Sequence, residues 1–183
     1  MKLTTKDIII TALFTALMIA GTFIRIPFPF LPVTFQPFIC ALAGMILGPR
    51  LAALAMTVYT LLGLTGVPVF TGGGGLLYIF KPSFGFILGF IAGAYIIGTV
   101  SKKLGRPVFA NNVKALLAGL LTIYAVGVVY MFLIMRVYLG NQETGLLLVL
   151  YGNLPYISKD TVLFLIAAVI SGSVMPRLQS MHD

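Results

Sequence analysis

The sequence predicts an all-α integral membrane protein: six transmembrane helices in a single bundle, with the N- and C-termini in the cytoplasm. Three observations lead there. The 183 residues are 60% hydrophobic and only 9% charged, against about 25% charged in an ordinary soluble domain. Mean hydropathy is +1.09, and 12 basic with 4 acidic residues cannot cover the surface of a water-soluble globule of this length. At about 20 apolar residues per spanning helix, the chain accommodates roughly six spans with short connections. No stretch remains for a separate soluble domain. Residues 1–183 therefore read as one membrane-embedded domain, and any ATP-hydrolysing machinery belongs to another chain.

Charges and prolines set the boundaries. Span one runs from Ile8 to Ile24 and ends at Arg25. Lys2 and Lys6 precede it in the charge order of a secretory signal, but the chain beyond stays equally apolar, so this helix is expected to be retained. Pro27, Pro29 and Pro32 forbid a continuous helix and predict an extended turn. Span two, Thr34 to Leu47, stops at a tight reversal, Gly48-Pro49-Arg50; span three covers Leu51 to Leu64. A loop from Thr65 to Lys81 leads to span four, Pro82 to Val100, and then to span five, Val113 to Met135. The connection Arg136 to Asn153 is hydrophilic apart from the run Leu146 to Leu150. Span six runs from Pro155 to Val174 and is closed by Pro176-Arg177. Spans two and three are short for a hydrocarbon core of about 30 Å, which local thinning or burial in the bundle must absorb. No internal repeat is found, which argues against an inverted-repeat carrier.

A net charge of +8 invites a nucleic-acid partner, but the basic residues are scattered. The one cluster, Lys102, Lys103 and Arg106 with Lys114 nearby, reads as a cytoplasmic loop. With the N-terminus inside, Lys2, Lys6, Arg50, Lys102, Lys103, Arg106, Lys114 and Arg177 lie inside. Only Arg25, Lys81, Arg136 and Lys159 lie outside, the asymmetry expected of a chain with both ends in the cytoplasm.

Catalytic chemistry is poorly supplied. A single cysteine, Cys40, excludes an intramolecular disulfide and a multi-cysteine metal site. The one histidine, His182, lies in the polar tail, leaving no buried base for Cys40 or a serine. Glu143 and Asp160 are the only acids between Asp7 and Asp183, so paired carboxylates are lacking. Gly72 to Gly75 is followed by Leu76, and Lys81 by a proline, which is not a phosphate loop. No catalytic residue, metal or cofactor is expected. What the chain is furnished for is binding.

The polar groups gather in the outer half. Arg25 ends span one, Gln36 precedes Pro37 at the start of span two, and Lys81 closes the glycine-rich loop. Asn153, Lys159 and Asp160 surround the start of span six. A charge at the centre of a span costs roughly 2.5–3.5 kcal/mol on insertion scales. Arg25 and Arg136 can escape that cost by snorkelling to the interface. Lys159 and Asp160 stand ahead of a 16-residue uncharged run. As helical neighbours they point about 100° apart and need not pair, so a small polar ligand can engage both. The glycine run is either a surface turn or a lid. As a lid, the backbone of Gly73 and Gly74 approaches a ligand, with Leu76, Leu77, Tyr78 and Phe80 as its apolar cover. Ala12, Ala16 and Ala20 recur every fourth residue of span one and form a strip that either docks another chain or packs within the bundle.

Several stretches resemble the BioY family, the biotin-binding S components of energy-coupling-factor (ECF) transporters. They are Pro32-Val-Thr-Phe-Gln36, Ala43-Gly-Met-Ile-Leu-Gly-Pro-Arg50, Leu61-Leu-Gly-Leu-Thr-Gly-Val-Pro-Val-Phe70 and Lys81-Pro-Ser-Phe-Gly-Phe-Ile-Leu-Gly-Phe90. Ile123-Tyr-Ala-Val-Gly127 and Leu154-Pro-Tyr-Ile-Ser-Lys-Asp160 follow in the same order. There are departures. Aligned on Asp160, the family's lysine three residues on is Leu163 here, and Phe86 stands where tyrosine is common. The resemblance implies a six-helix S component of the cell membrane that captures biotin outside and works with a transmembrane T component and two cytoplasmic ATPases. It implies that Asp160 and Lys159 meet the ureido ring. The carboxylate then falls to Lys81, with Arg25 or Arg136 behind it, and Gln36, Asn153 or Tyr151 as polar partners. Tyr78, Gly73 and Gly74 would serve as lid, and the alanine strip would face the T component. The alternatives are an S component for another small vitamin, a self-sufficient channel or carrier, and a membrane enzyme.

Overall fold

The computed structural model of the chain describes residues 3–26, 32–105 and 108–179, with side chains to residue 174. Lys2, the turn at Pro27 and Pro29, Arg106, the side chains of Pro176 and Arg177, and His182 lie outside the described residues. Helix α1 covers Thr5–Phe23 and a two-residue hairpin follows, β1 (Arg25–Ile26) and β2 (Val33–Thr34). After it come α2 (Gln36–Leu64), a 3-10 turn at Leu76–Phe80, α3 (Phe84–Leu104) and α4 (Phe109–Leu133), extended by a π turn at Ile134–Tyr138. Helix α5 (Leu146–Gln179) is the last described element. Five of these helices are long and apolar enough to cross a membrane.

Local chemistry explains the boundaries. Thr4 Oγ1 accepts from the Asp7 amide and the Asp7 carboxylate accepts from the Thr4 amide, so two of the unpaired donors at the start of α1 are satisfied reciprocally. The residues of predicted spans two and three together form α2. Its two legs part at Gly48, whose φ of 75° and ψ of 178° are not helical, and Pro49 cannot return an amide hydrogen bond. The break lies against α3 at Gly98, where a Cβ would come within 2.4 Å of the Pro49 nitrogen.

The C-terminal third departs from the sequence reading. Pro155 does not begin a helix; α5 starts at Leu146 and runs through both Pro155 and Pro176. The apolar run Leu146 to Leu150 is its first turn rather than part of a hydrophilic connection. Proline inside the helix withholds one N–H from the carbonyl a turn earlier, a defect that membrane bundles tolerate when neighbours or local adjustment compensate.

Lipid tails are as apolar as the side chains, so helices in a membrane associate by close packing rather than by hydrophobic exclusion. The centre of the bundle is built that way. A Cβ at Gly89 of α3 would lie 2.7 Å from the Ile123 carbonyl oxygen of α4. One at Gly119 of α4 would lie 2.1 Å from Ile97 Cγ1 of α3. This approach brings Phe86, Ile87 and Phe90 of α3 opposite Ile123 and Tyr124 of α4. Helix α1 packs through Phe14, Thr15 and Met18, and Thr15 Oγ1 donates to the Ala55 carbonyl of α2 at 3.1 Å.

Candidate functional site

A cavity opens at one end of the bundle, where β2, the start of α2, the loop 65–83 and the middles of α4 and α5 meet. One wall is apolar: Phe86, Ile87, Phe90 and Ile123. The other carries Gln36, Tyr59, Tyr124, Asn153, Lys159 and Asp160.

Asp160 sits on α5 and is 3% exposed. Tyr124 of α4 donates its phenolic hydrogen to Asp160 Oδ2 at 2.7 Å. The ammonium of Lys159 is ion-paired with Oδ1 of the same carboxylate and donates to the Thr34 carbonyl at 2.9 Å. The 100° between the two side chains does not keep them apart, because the long lysine stem bends back to its neighbour. One carboxylate thus gathers α4, α5 and the hairpin at the cavity wall.

Gln36, at the first turn of α2, donates through Nε2 to Tyr59 Oη at 2.7 Å. Tyr59 in turn donates to the Val69 carbonyl at 3.2 Å, tying the second leg of α2 to the loop. Asn153 is buried. Its amide nitrogen donates to the Val149 carbonyl at 2.8 Å, while its Oδ1 has no hydrogen-bond partner among the described residues. Tyr78 is buried against Phe70, with ring centroids 4.5 Å apart, and its hydroxyl lies 3.1 Å from Thr71 Oγ1.

Other sequence-predicted residues are not brought to the cavity. Gly73 and Gly74 are not among the residues that line it. Phe70 and Gly73 exchange two backbone hydrogen bonds, and the Gly75 amide donates to the Gly63 carbonyl at 2.7 Å. A Cβ on Gly74 would fall 2.3 Å from the Val67 carbonyl oxygen. The run is therefore folded back onto the end of α2, and Thr71, Tyr78 and Ser83 are the residues of this loop that line the cavity. Tyr151 is 65% exposed on the outer face of α5. Arg136 lies over the Phe132 ring, 5.8 Å from its centroid, and is not a lining residue. Lys81 borders the site: its ammonium donates to the Gly72 carbonyl at 3.0 Å and lies 4.7 Å from the Tyr78 ring centroid. Arg25 donates to the neighbouring Thr71 carbonyl.

Sequence reasoning missed Tyr59, Tyr124 and Tyr156, all of which line the cavity. The available signal was a phenol in an apolar span, since a buried hydroxyl must find a partner. Among the described residues no group of three or more His, Cys, Asp or Glu side chains can hold a metal ion. What the arrangement suits is a small ligand with an apolar body and a few polar atoms.

The BioY family model matches residues 1–180. The chain belongs to the BioY family. It is 35% identical over 167 residues to a probable biotin transporter BioY of Lysinibacillus sphaericus, covering 91% of this chain and 85% of that one. Against a biotin transporter BioY of Thermotoga maritima it is 33% identical, covering 91% and 94% respectively. A solved S-component for biotin from an ECF-type ABC transporter superposes with a TM-score of 0.81 at 26% identity, over 96% of this chain and 95% of that one. The fold is that of an ECF S component, and BioY membership sets transport against catalysis.

Proposed function

We propose that this BioY-family chain captures biotin at the cell membrane as the substrate-binding S component of an ECF-type transporter, handing it on with a T component and two cytoplasmic ATPases. The relatives' names and the matched biotin S-component support the reading. The observation that carries it is Asp160, a carboxylate held at the wall of a partly aromatic cavity by Tyr124 and Lys159. The ureido ring of biotin presents two N–H donors and one carbonyl. Asp160 accepts from the donors. An ammonium has three N–H groups; Lys159 places one on Thr34 and one on Asp160, and the third serves the ureido carbonyl. Phe86 and Phe90 pack on the bicyclic ring, and Gln36, Asn153 and Tyr78 complete the contacts.

The chain forms a single domain that crosses the membrane six times, each leg of α2 counting as one span, with both termini in the cytoplasm, a reading the Lys and Arg asymmetry supports. The Ala12, Ala16 and Ala20 strip faces the T component. Biotin uptake into vesicles that depends on ATP, and on added T component and ATPases, tests this reading. Uptake by the chain alone would favour a self-sufficient carrier, and a different vitamin retained by the purified protein would change the substrate.

The valerate carboxylate then lies toward Thr71 and Gly72, where Lys81 and Arg25 both converge on backbone carbonyls. Lys81 is the first choice, because its stem can swing to an anion while Arg25 stays on Thr71. Biotin amidated at the tail should bind wild type about ten-fold less tightly than biotin, the scale of a hydrogen bond to a charged group. Lys81→Ala should lose that preference in calorimetry; a retained preference would move the anion to Arg25.

A further inference from the structure

The turn Leu76–Phe80 presents Leu77, at 80% the most exposed large apolar side chain of the described residues, next to Leu76 at 69%. They are not on a floppy tip. The Tyr130 hydroxyl of α4 donates to the Ile79 carbonyl, and Phe80 stacks on Tyr138 with centroids 4.6 Å apart and planes 20° from parallel. Lys81 closes the other side on the Gly72 carbonyl. The Tyr130 hydrogen bond and the Phe80–Tyr138 stack thus hold two leucines outward, where packing within the chain does nothing for them.

The surroundings say what covers them. Tyr138 is exposed, as is Phe80, and both belong to the same end of the bundle as the turn. Aromatic residues of that kind concentrate at the level where a bilayer meets water. Two exposed cations, Lys81 and Arg136, stand in the same region, and cations near a membrane surface are drawn to anionic headgroups. Leucines outermost, aromatic rings beside them and cations at the margin make the layered chemistry of an interfacial anchor.

We propose that the turn Leu76–Phe80 is a membrane-interface anchor that sinks Leu76 and Leu77 into the boundary between headgroups and acyl chains. Tyr78 belongs to the same turn and lines the ligand cavity. The anchor therefore holds one wall of the binding site against the bilayer surface, and does so whatever ligand the cavity takes.

The chain contains no tryptophan, so a single Leu77→Trp substitution reports on this position alone. The isolated chain, reconstituted in phosphatidylcholine vesicles with some phosphatidylglycerol, should show blue-shifted tryptophan emission. Lipids brominated near the top of the acyl chain should quench it strongly, and aqueous iodide only weakly. Leu76→Trp should behave the same way and guards against one variant folding poorly. Emission like that of free tryptophan, quenched by iodide and indifferent to bromolipid, would overturn the proposal. Shielding that develops only after the T component is added would overturn it too, by making the turn a protein-docking surface.

Discussion

Asp160→Asn should weaken biotin binding by about one to two orders of magnitude, the loss expected when a buried hydrogen bond to a charged group becomes one to a neutral amide. The substitution keeps shape and volume, so packing is unaffected. What changes is charge. The Lys159 ammonium loses its counter-ion while remaining half-buried, and the amide nitrogen must take one of the two carboxylate positions: opposite Lys159 or the ligand N–H groups donor meets donor, and opposite Tyr124 the phenol must turn from donating to accepting. Removing one partner of a buried pair is costly because the other is left uncompensated, so the melting temperature in detergent should fall as well. Calorimetry separates the two effects. A lower melting temperature with unchanged biotin affinity would make the carboxylate a structural tie between α4, α5 and the hairpin and remove it from the ligand.

The unevenness of what could be read in advance has a physical cause. Membrane helices declare themselves through composition, because hydrocarbon tolerates no unpaired backbone and demands long apolar runs. Gly48-Pro49 was legible because those residues act on the backbone directly. Pro155 misled for the same reason: in water it would end the helix, whereas here α5 continues through it. Asp160 and Lys159 stood out as charges beside an apolar run, and both reach the cavity. Tyr59 and Tyr124 did not, since a tyrosine in a span is indistinguishable from packing until the partner of its hydroxyl is seen. The glycine run is ambiguous in a different way. Glycine signals that backbone must come close to something, but not to what; in this structure Gly74 lies against the Gly63 and Val67 carbonyls at the end of α2.

Ala16→Trp should abolish ATP-driven uptake in vesicles containing the T component and ATPases, while biotin affinity of the isolated chain stays within about three-fold of wild type, the span of ordinary surface effects. Residues of α1 divide cleanly. Thr11, Phe14, Thr15, Met18 and Thr22 are buried, and Thr15 bonds to the Ala55 carbonyl across the helix pair. Ala12, Ala16 and Ala20 are all exposed, on a strip turned away from the chain's own helices. A strip of methyl groups offers lipid little to grip but lets a second helix approach closely, and close approach is what drives association in a membrane. Tryptophan at the middle of the strip would hold such a helix off without touching the cavity or the buried face of α1. Pull-down of the T component should fail in parallel with uptake. Normal assembly and uptake in Ala16→Trp would move the docking surface to another face of the bundle, and loss of biotin binding together with folding would mean that α1 packs by a face other than the one seen here.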